Sequence, residues 1–281
     1  MRISSAACRV AIRARLCALL LLALPTTSAT AEEIRLVAAG SLTGAFNAMI
    51  ADYGRTHPKD HVATKWGPSG VLRNELENGG AFDIFASAAL PHAQALTEKG
   101  LASDSVLFAR NALCVIAPAG AALTQETLVD VLLKPETRLA TSTPKADPGG
   151  DYTWQLFELI DKQRPGAFAA LSGKAQQVFG GAATTTPVGG RHRLAIALGE
   201  GTADMAIYYC SGTQEISKAE PGRFLVLPLP KELAVGPEYG LTLSNAAGLP
   251  AADFAMYILS PAGQKTLAEF GFIPVTLPAA R

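Results

Sequence analysis

Apolar positions along the chain alternate between two kinds of run. Ile34-Arg-Leu-Val-Ala-Ala39 is a nearly continuous apolar stretch of strand length. After it, Leu42, Ala45, Phe46, Met49, Ile50 and Tyr53 fall at offsets 0, 3, 4, 7, 8 and 11, which is the spacing of one helix face. Residues 62–66 then read as a strand and 71–76 as a helix stopped by Asn78-Gly79-Gly80, because two glycines end a helix. Residues 83–87 read as a third strand and 91–99 as a third helix. Buried strands alternating with amphipathic helices predict a parallel sheet covered on both faces. The rhythm restarts with the apolar run 112–117, a helix over 124–133 and a strand over 138–142. Asp147-Pro-Gly-Gly-Asp151 is turn chemistry, and a helix over 152–162 is expected to leave it. Gly189-Gly190 precedes a helix running to Leu198, strands follow at 203–209 and 224–228, and helices near 250–259 and 261–270 close the chain. The expected fold is α/β with two lobes, each a mainly parallel sheet flanked by helices. Lobe I is expected over 32–109 and 239–281, and lobe II over 110–238.

The first 31 residues depart from this pattern. Arg2, Arg9, Arg13 and Arg15 precede the apolar run 16–25, and Ala29-Thr30-Ala31 follows it. A basic start, a short apolar middle and a small-residue exit form a secretory signal peptide over residues 1–31. The apolar run is well short of the ~20 residues of a membrane-spanning helix. Export changes the charge, because the whole chain has 24 basic and 24 acidic side chains and the leader removes four arginines. The remaining chain is mildly acidic, so composition gives no support to nucleic-acid binding. Of four cysteines, only Cys114 and Cys210 remain after residue 31. In an exported chain they either form one disulfide or stay as two buried thiols.

Candidate chemistry gathers at strand-to-helix turns. In open parallel sheets ligands bind beyond the carboxyl ends of strands, where helix starts present unpaired N–H groups and partial positive charge. Four such turns are rich in small or hydroxyl residues: Ala39-Gly40-Ser41-Leu42, Gly67-Pro68-Ser69-Gly70, Pro148-Gly149-Gly150-Asp151 and Val188-Gly189-Gly190-Arg191. Small residues let a ligand approach backbone closely, so the set suits an oxyanion held by neutral donors.

These residues carry a resemblance to a known family. Ala38-Ala39-Gly40-Ser41-Leu42, Gly67-Pro68-Ser69-Gly70, Asp83-Ile-Phe-Ala-Ser-Ala88, the strand at 203–209, Ser260-Pro-Ala-Gly-Gln264 and Phe270-Gly-Phe272 resemble the periplasmic molybdate-binding proteins, solute receptors of ABC importers. The likeness spans nearly all of residues 33–274. It implies a two-lobed periplasmic binding protein with a tetrahedral oxyanion, molybdate or tungstate, in the cleft between the lobes. By that resemblance Ser41 and Ser69 supply hydroxyls, Gly149 and Gly190 or Arg191 supply backbone N–H groups, and Tyr208 donates its phenol hydrogen. It further implies a periplasmic monomer, an inner-membrane permease as partner, and no cofactor, protein-bound metal or nucleic acid. The chain departs from the family at Pro68, where a serine is usual. Asp151 would also stand close to the anion, unless it caps the helix that follows. Arg191-His192-Arg193 is either a solvated run or an ion pair for a carboxylate-, phosphate- or sulfate-bearing ligand.

Other classes remain open beside it. A receptor of the same fold could take sulfate, a small organic anion, or ferric ion through Tyr208 and Tyr209. Adjacent strand residues face opposite sides, which places one tyrosine in the core. A sensory or surface binding protein is a further alternative, since fold does not fix function. An enzyme has little support. Residues 67–70 are not a nucleophile elbow, Ser172-Gly173-Lys174 lacks P-loop spacing, and His57, His61, His92 and His192 are scattered.

Overall fold

The structure is a computed structural model that describes residues 33–181 and 190–276. The expected leader, Val188 and Gly189 lie outside the described residues. The chain opens with β1 (Glu33–Ala39), α1 (Thr43–Thr56), β2 (His61–Gly67), α2 (Ser69–Glu77), β3 (Ile84–Ser87), α3 (Leu90–Glu98) and β4 (Val106–Arg110). A second set follows: β5 (Leu113–Pro118), α4 (Leu128–Leu133), β6 (Leu139–Ser142), α5 (Pro148–Gln163), α6 (Ala167–Lys174), β7 (Gln176–Phe179), α7 (Arg193–Gly199), β8 (Met205–Tyr209), α8 (Cys210–Ala219) and β9 (Phe224–Pro228). The chain then returns with β10 (Glu238–Leu243), α9 (Leu249–Leu259), α10 (Pro261–Glu269) and β11 (Ile273–Pro274).

Two sheets result. One has the order β11-β4-β10-β3-β1-β2 and the other β7-β6-β8-β5-β9. With helices on their faces they form two α/β lobes. The periodic residues behave as their spacing dictates, since α1 buries Ala45, Phe46, Met49 and Tyr53. The sheets are mixed rather than mainly parallel. β1–β2, β1–β3, β6–β7 and β6–β8 pair in parallel, whereas β10 and β5 are antiparallel to both of their neighbours. Their position explains the reversal. β5 follows β4 after only Asn111 and Ala112, and β10 follows β9 after residues 229–237. A strand that passes straight from one sheet into the other, with no crossover helix, enters against the prevailing direction.

These two passages are tied together. Asn111 N–H donates to Pro237 O at 2.9 Å, and Cys210 N–H donates to Ala112 O at 2.8 Å. Asn111 is buried, and its Nδ2 donates to Ser211 Oγ at 2.8 Å and to Tyr239 Oη at 3.3 Å. Cys114 and Cys210 form a disulfide that joins β5 to the start of α8, which resolves the alternative left open by the sequence. Among the described residues no helix is long and apolar enough to cross a membrane.

Candidate functional site

The carboxyl ends of β1, β2, β7 and β8 open onto one cavity of about 380 Å3, lined by residues of both lobes. Ala39, Gly40, Ser41, Thr43, Trp66, Gly67 and Pro68 come from one lobe. Asp147, Phe179, Gly180, His192, Arg193, Tyr208 and Tyr209 come from the other.

The wall of the first lobe follows from β1 ending in small residues. Gly40–Leu42 makes a single 3-10 turn before α1. This turn puts Ser41 on the cavity, with its Oγ 3.1 Å from Tyr239 Oη. Tyr239 Oη also accepts from Asn111 Nδ2, and either hydroxyl can donate in the Ser41–Tyr239 bond; with Tyr239 as the donor, the Ser41 hydrogen is free for the cavity. Ser69 is not on the wall. It is fully buried, and its Oγ accepts from Ala88 N–H at 3.0 Å, which ties α2 to the turn after β3. The neighbouring Gly70 N–H donates to Ala146 O of the other lobe at 3.0 Å, so this donor of the helix start is taken by protein.

In the second lobe the expected turn at 147–151 is already helix. Asp147 is the N-cap and Pro148 the first residue of α5, a pairing that favours helix initiation. Gly149 is buried off the cavity wall, and its N–H donates to Asp147 Oδ1 at 3.5 Å. Ser142 Oγ donates to Asp147 Oδ2. The donor expected to meet an anion is therefore capped by a carboxylate of the chain itself. Burial raises the Asp147 carboxyl to about pKa 6, against the lowering effect of Ser142 and Gly149. Asp151, the acid flagged from sequence, instead accepts from Lys145 N–H at 2.7 Å in the first turn of α5.

The basic run 191–193 divides three ways. Arg191 is exposed and clamps Glu220 through Nε and Nη2, both at 2.9 Å, so its charge is spent on protein. Gly190 is exposed with φ +76° and is not on the cavity wall. His192 and Arg193 do line the cavity. His192 Nδ1 accepts from Leu194 N–H at 3.2 Å, which places the ring hydrogen on Nε2. Burial lowers the imidazole to about pKa 4, so it is a neutral donor near neutral pH. Arg193 Nε is buried and has no hydrogen-bond partner among the described residues. A buried donor without a partner costs roughly 1–3 kcal/mol, more when charged, and an anion in the cavity would supply one.

Tyr208 and Tyr209 both face the cavity, contrary to the opposite-face expectation. Tyr209 is the last residue of β8 and the N-cap of α8, at φ −58° and ψ 135°, so strand alternation stops there. Tyr208 packs edge-on against Phe179 at 5.0 Å and at a tilt against His192 at 5.2 Å. Burial raises both phenols, which keeps their hydrogens in place as donors, and Tyr209 Oη has no partner among the described residues. Sequence reasoning missed Asp147 and Tyr239, and it named His192 and Arg193 only as part of the basic run 191–193. For Asp147 a signal existed, since Asp-Pro marks a helix start. Three consecutive polar residues at 191–193 carry no mark of which one turns inward.

Residues 34–273 match the family described as bacterial extracellular solute-binding protein. The chain belongs to that family. It is 34% identical over 246 residues to uncharacterized protein PM1146 of Pasteurella multocida, covering 86% of this chain and 98% of that one. It is 30% identical over 150 residues to the molybdate-binding protein ModA of Haemophilus influenzae, covering 51% and 59% of the two chains. Among solved structures, the periplasmic molybdate-binding protein of Azotobacter vinelandii superposes with a TM-score of 0.67 at 18% identity, over 87% of this chain and 99% of that chain. The sulfate-binding protein SubI of Mycobacterium tuberculosis superposes with a TM-score of 0.69 at 16% identity, over 87% of each chain. The likenesses to solved structures show that the chain shares the two-lobed fold of these proteins.

Proposed function

We propose that this chain is a periplasmic receptor that captures a small solute bearing an oxyanion group and delivers it to the inner-membrane permease of an ABC importer. Residues 1–31 direct export and are removed, and the receptor acts as a monomer without cofactor or turnover. One observation carries the reading: Ser41 from one lobe, and His192, Arg193, Tyr208 and Tyr209 from the other, converge on a single cavity. Every one of these side chains offers a hydrogen to an anion.

Capture follows from where the donors sit. An anion docked against Ser41 and the start of α1 meets the second lobe's donors when the lobes close about Asn111–Ala112 and residues 229–237. Closure expels water, and charge-assisted hydrogen bonds strengthen in the lower dielectric. Molybdate is the ligand suggested by the named relatives, with sulfate next, and tungstate shares the tetrahedral dianion chemistry of molybdate. A second reading, an organic anion, is favoured by Arg193, because a planar guanidinium matches carboxylate and phosphate edges. A cavity of this size also lies in the ~300–1,000 Å3 range typical of organic-ligand pockets.

The test is a thermal-shift screen of the chain without residues 1–31 against molybdate, tungstate, sulfate, phosphate, ferric ion and small carboxylates. A ligand at ~100 times its Kd stabilises by about 2.7 kcal/mol, which is read as a clear rise in Tm. A rise with at least one oxyanion supports the proposal. A rise with ferric ion alone would replace it by the tyrosine-ligated metal alternative.

A further inference from the structure

Resting on the receptor reading above, we propose that Asp147 selects ligands bearing a hydroxyl hydrogen. The site then takes an oxyanion group carried on a hydroxylated carbon body, as in the phosphomonoester or carboxylate of a polyol, in preference to a bare tetrahedral dianion.

The start of α5 already holds a negative group. Asp147 takes the Gly149 N–H on Oδ1 and the Ser142 hydroxyl on Oδ2. Gly180, at φ +79°, packs over the same carboxyl group, and a Cβ there would collide with Ser142 Oγ and Asp147. One side of the carboxylate is thus covered, and Asp147 also lines the cavity. A carboxylate offers about four acceptor sites, and among the described residues these two bonds use two of them. When the lobes close and water leaves, the others need donors, because burying them unpaired is costly. A bare dianion brings no hydrogen and adds like charge. A ligand hydroxyl supplies the missing donor while its oxyanion end turns to Arg193 and Ser41.

Size and wall chemistry agree. Before the lobes close, the cavity of about 380 Å3 leaves room for a ligand larger than one tetrahedral oxyanion. Trp66 and Phe179 on opposite lobes add apolar surface suited to a carbon body rather than to a shell of oxygens.

Isothermal titration at pH 7.5 tests this with matched probes: glycerol 3-phosphate against propyl phosphate, glycerate against propionate, and molybdate as the bare dianion. The expected result is that the hydroxylated member of at least one pair binds about 10- to 150-fold tighter than its partner, and tighter than molybdate. The phosphate and carboxylate arms then show which oxyanion Arg193 receives. Asp147→Asn, checked for folding by its unfolding curve, should erase the preference within the pair and strengthen molybdate binding. The wild-type comparison needs no variant, so it stands even where the variant misfolds. Molybdate binding tighter than every hydroxylated anion, with the same ranking in D147N, would overturn this inference and leave the receptor reading intact. No binding by any of the five probes or by sulfate would overturn the receptor reading, and this inference with it.

Discussion

Replacing Asp147 by asparagine changes the pH dependence of folding in a way the structure specifies. Folded Asp147 takes its proton at about pH 6, and the ordinary aspartate value is 3.8. Below pH 3.8 the carboxyl is protonated in both folded and unfolded chains, and nothing is lost. Between 3.8 and 6 the unfolded chain ionises first, and folding loses stability as pH rises. Above 6 the loss is complete. About two pH units at ~1.36 kcal/mol each give roughly 3 kcal/mol. Asparagine keeps an oxygen for the Gly149 N–H and cannot ionise. Urea unfolding of both proteins without ligand, from pH 3.5 to 7.5, measures the difference directly. The stability of D147N relative to wild type should rise by about 3 kcal/mol across that range. A difference that stays constant within ~1 kcal/mol would refute the reasoning, because Asp147 would then be an ordinary solvated helix cap.

Other outcomes follow from the same site. His192 has the opposite sign: folded at about pKa 4 against an ordinary 6.5, it costs stability as pH falls from 6.5 towards 4. Asp147 and His192 should therefore nearly offset each other there in wild type, and D147N should lose up to about 3 kcal/mol more than wild type by urea unfolding. Arg193→Ala should weaken anion binding by at least about tenfold in titration calorimetry, since hydrogen bonds to charged groups contribute ~1.5–3 kcal/mol; Arg191→Ala, whose partner is Glu220, should leave affinity unchanged. Ser41→Ala should weaken binding by a similar factor, whereas Ser69→Ala should lower stability by ~1 kcal/mol or more through the orphaned Ala88 N–H and leave the binding heat alone. Replacing Cys114 and Cys210 together by alanine should lower unfolding free energy by several kcal/mol, about 4.7 for a loop of ~100 residues, because the pair is 96 positions apart in sequence.

Much of the fold is legible in the chain because burial imposes periodicity. The stripe from Leu42 to Tyr53 and the apolar runs of β1 and β5 are written by the need to cover a sheet. Strand direction has no such imprint. β5 and β10 are apolar whichever way they run, and only their passage between sheets reverses them. The helix α8 was unread because Cys210-Ser-Gly-Thr looks like a loop, and its place is set by the disulfide and by packing. For the site, small and hydroxyl residues at strand ends pointed to the right edge of each sheet. They did not show which donors the protein keeps for itself. Gly70 serves Ala146, Gly149 serves Asp147 and Ser69 serves Ala88, contacts made across 19 to 76 positions for Ser69 and Gly70 and within one turn for Gly149. That the charged Arg193 and Asp147 line the cavity depends on which way neighbouring side chains turn, and a linear pattern does not record that.

A crystal structure of the chain without residues 1–31, bound to the anion that raises its melting temperature most, tests the central claim most directly. The account predicts ligand oxygens within hydrogen-bonding distance of Ser41 Oγ and the Arg193 guanidinium, with Asp147 accepting a ligand hydrogen. An anion lodged outside that cavity, or one held there with Arg193 turned away, would contradict it.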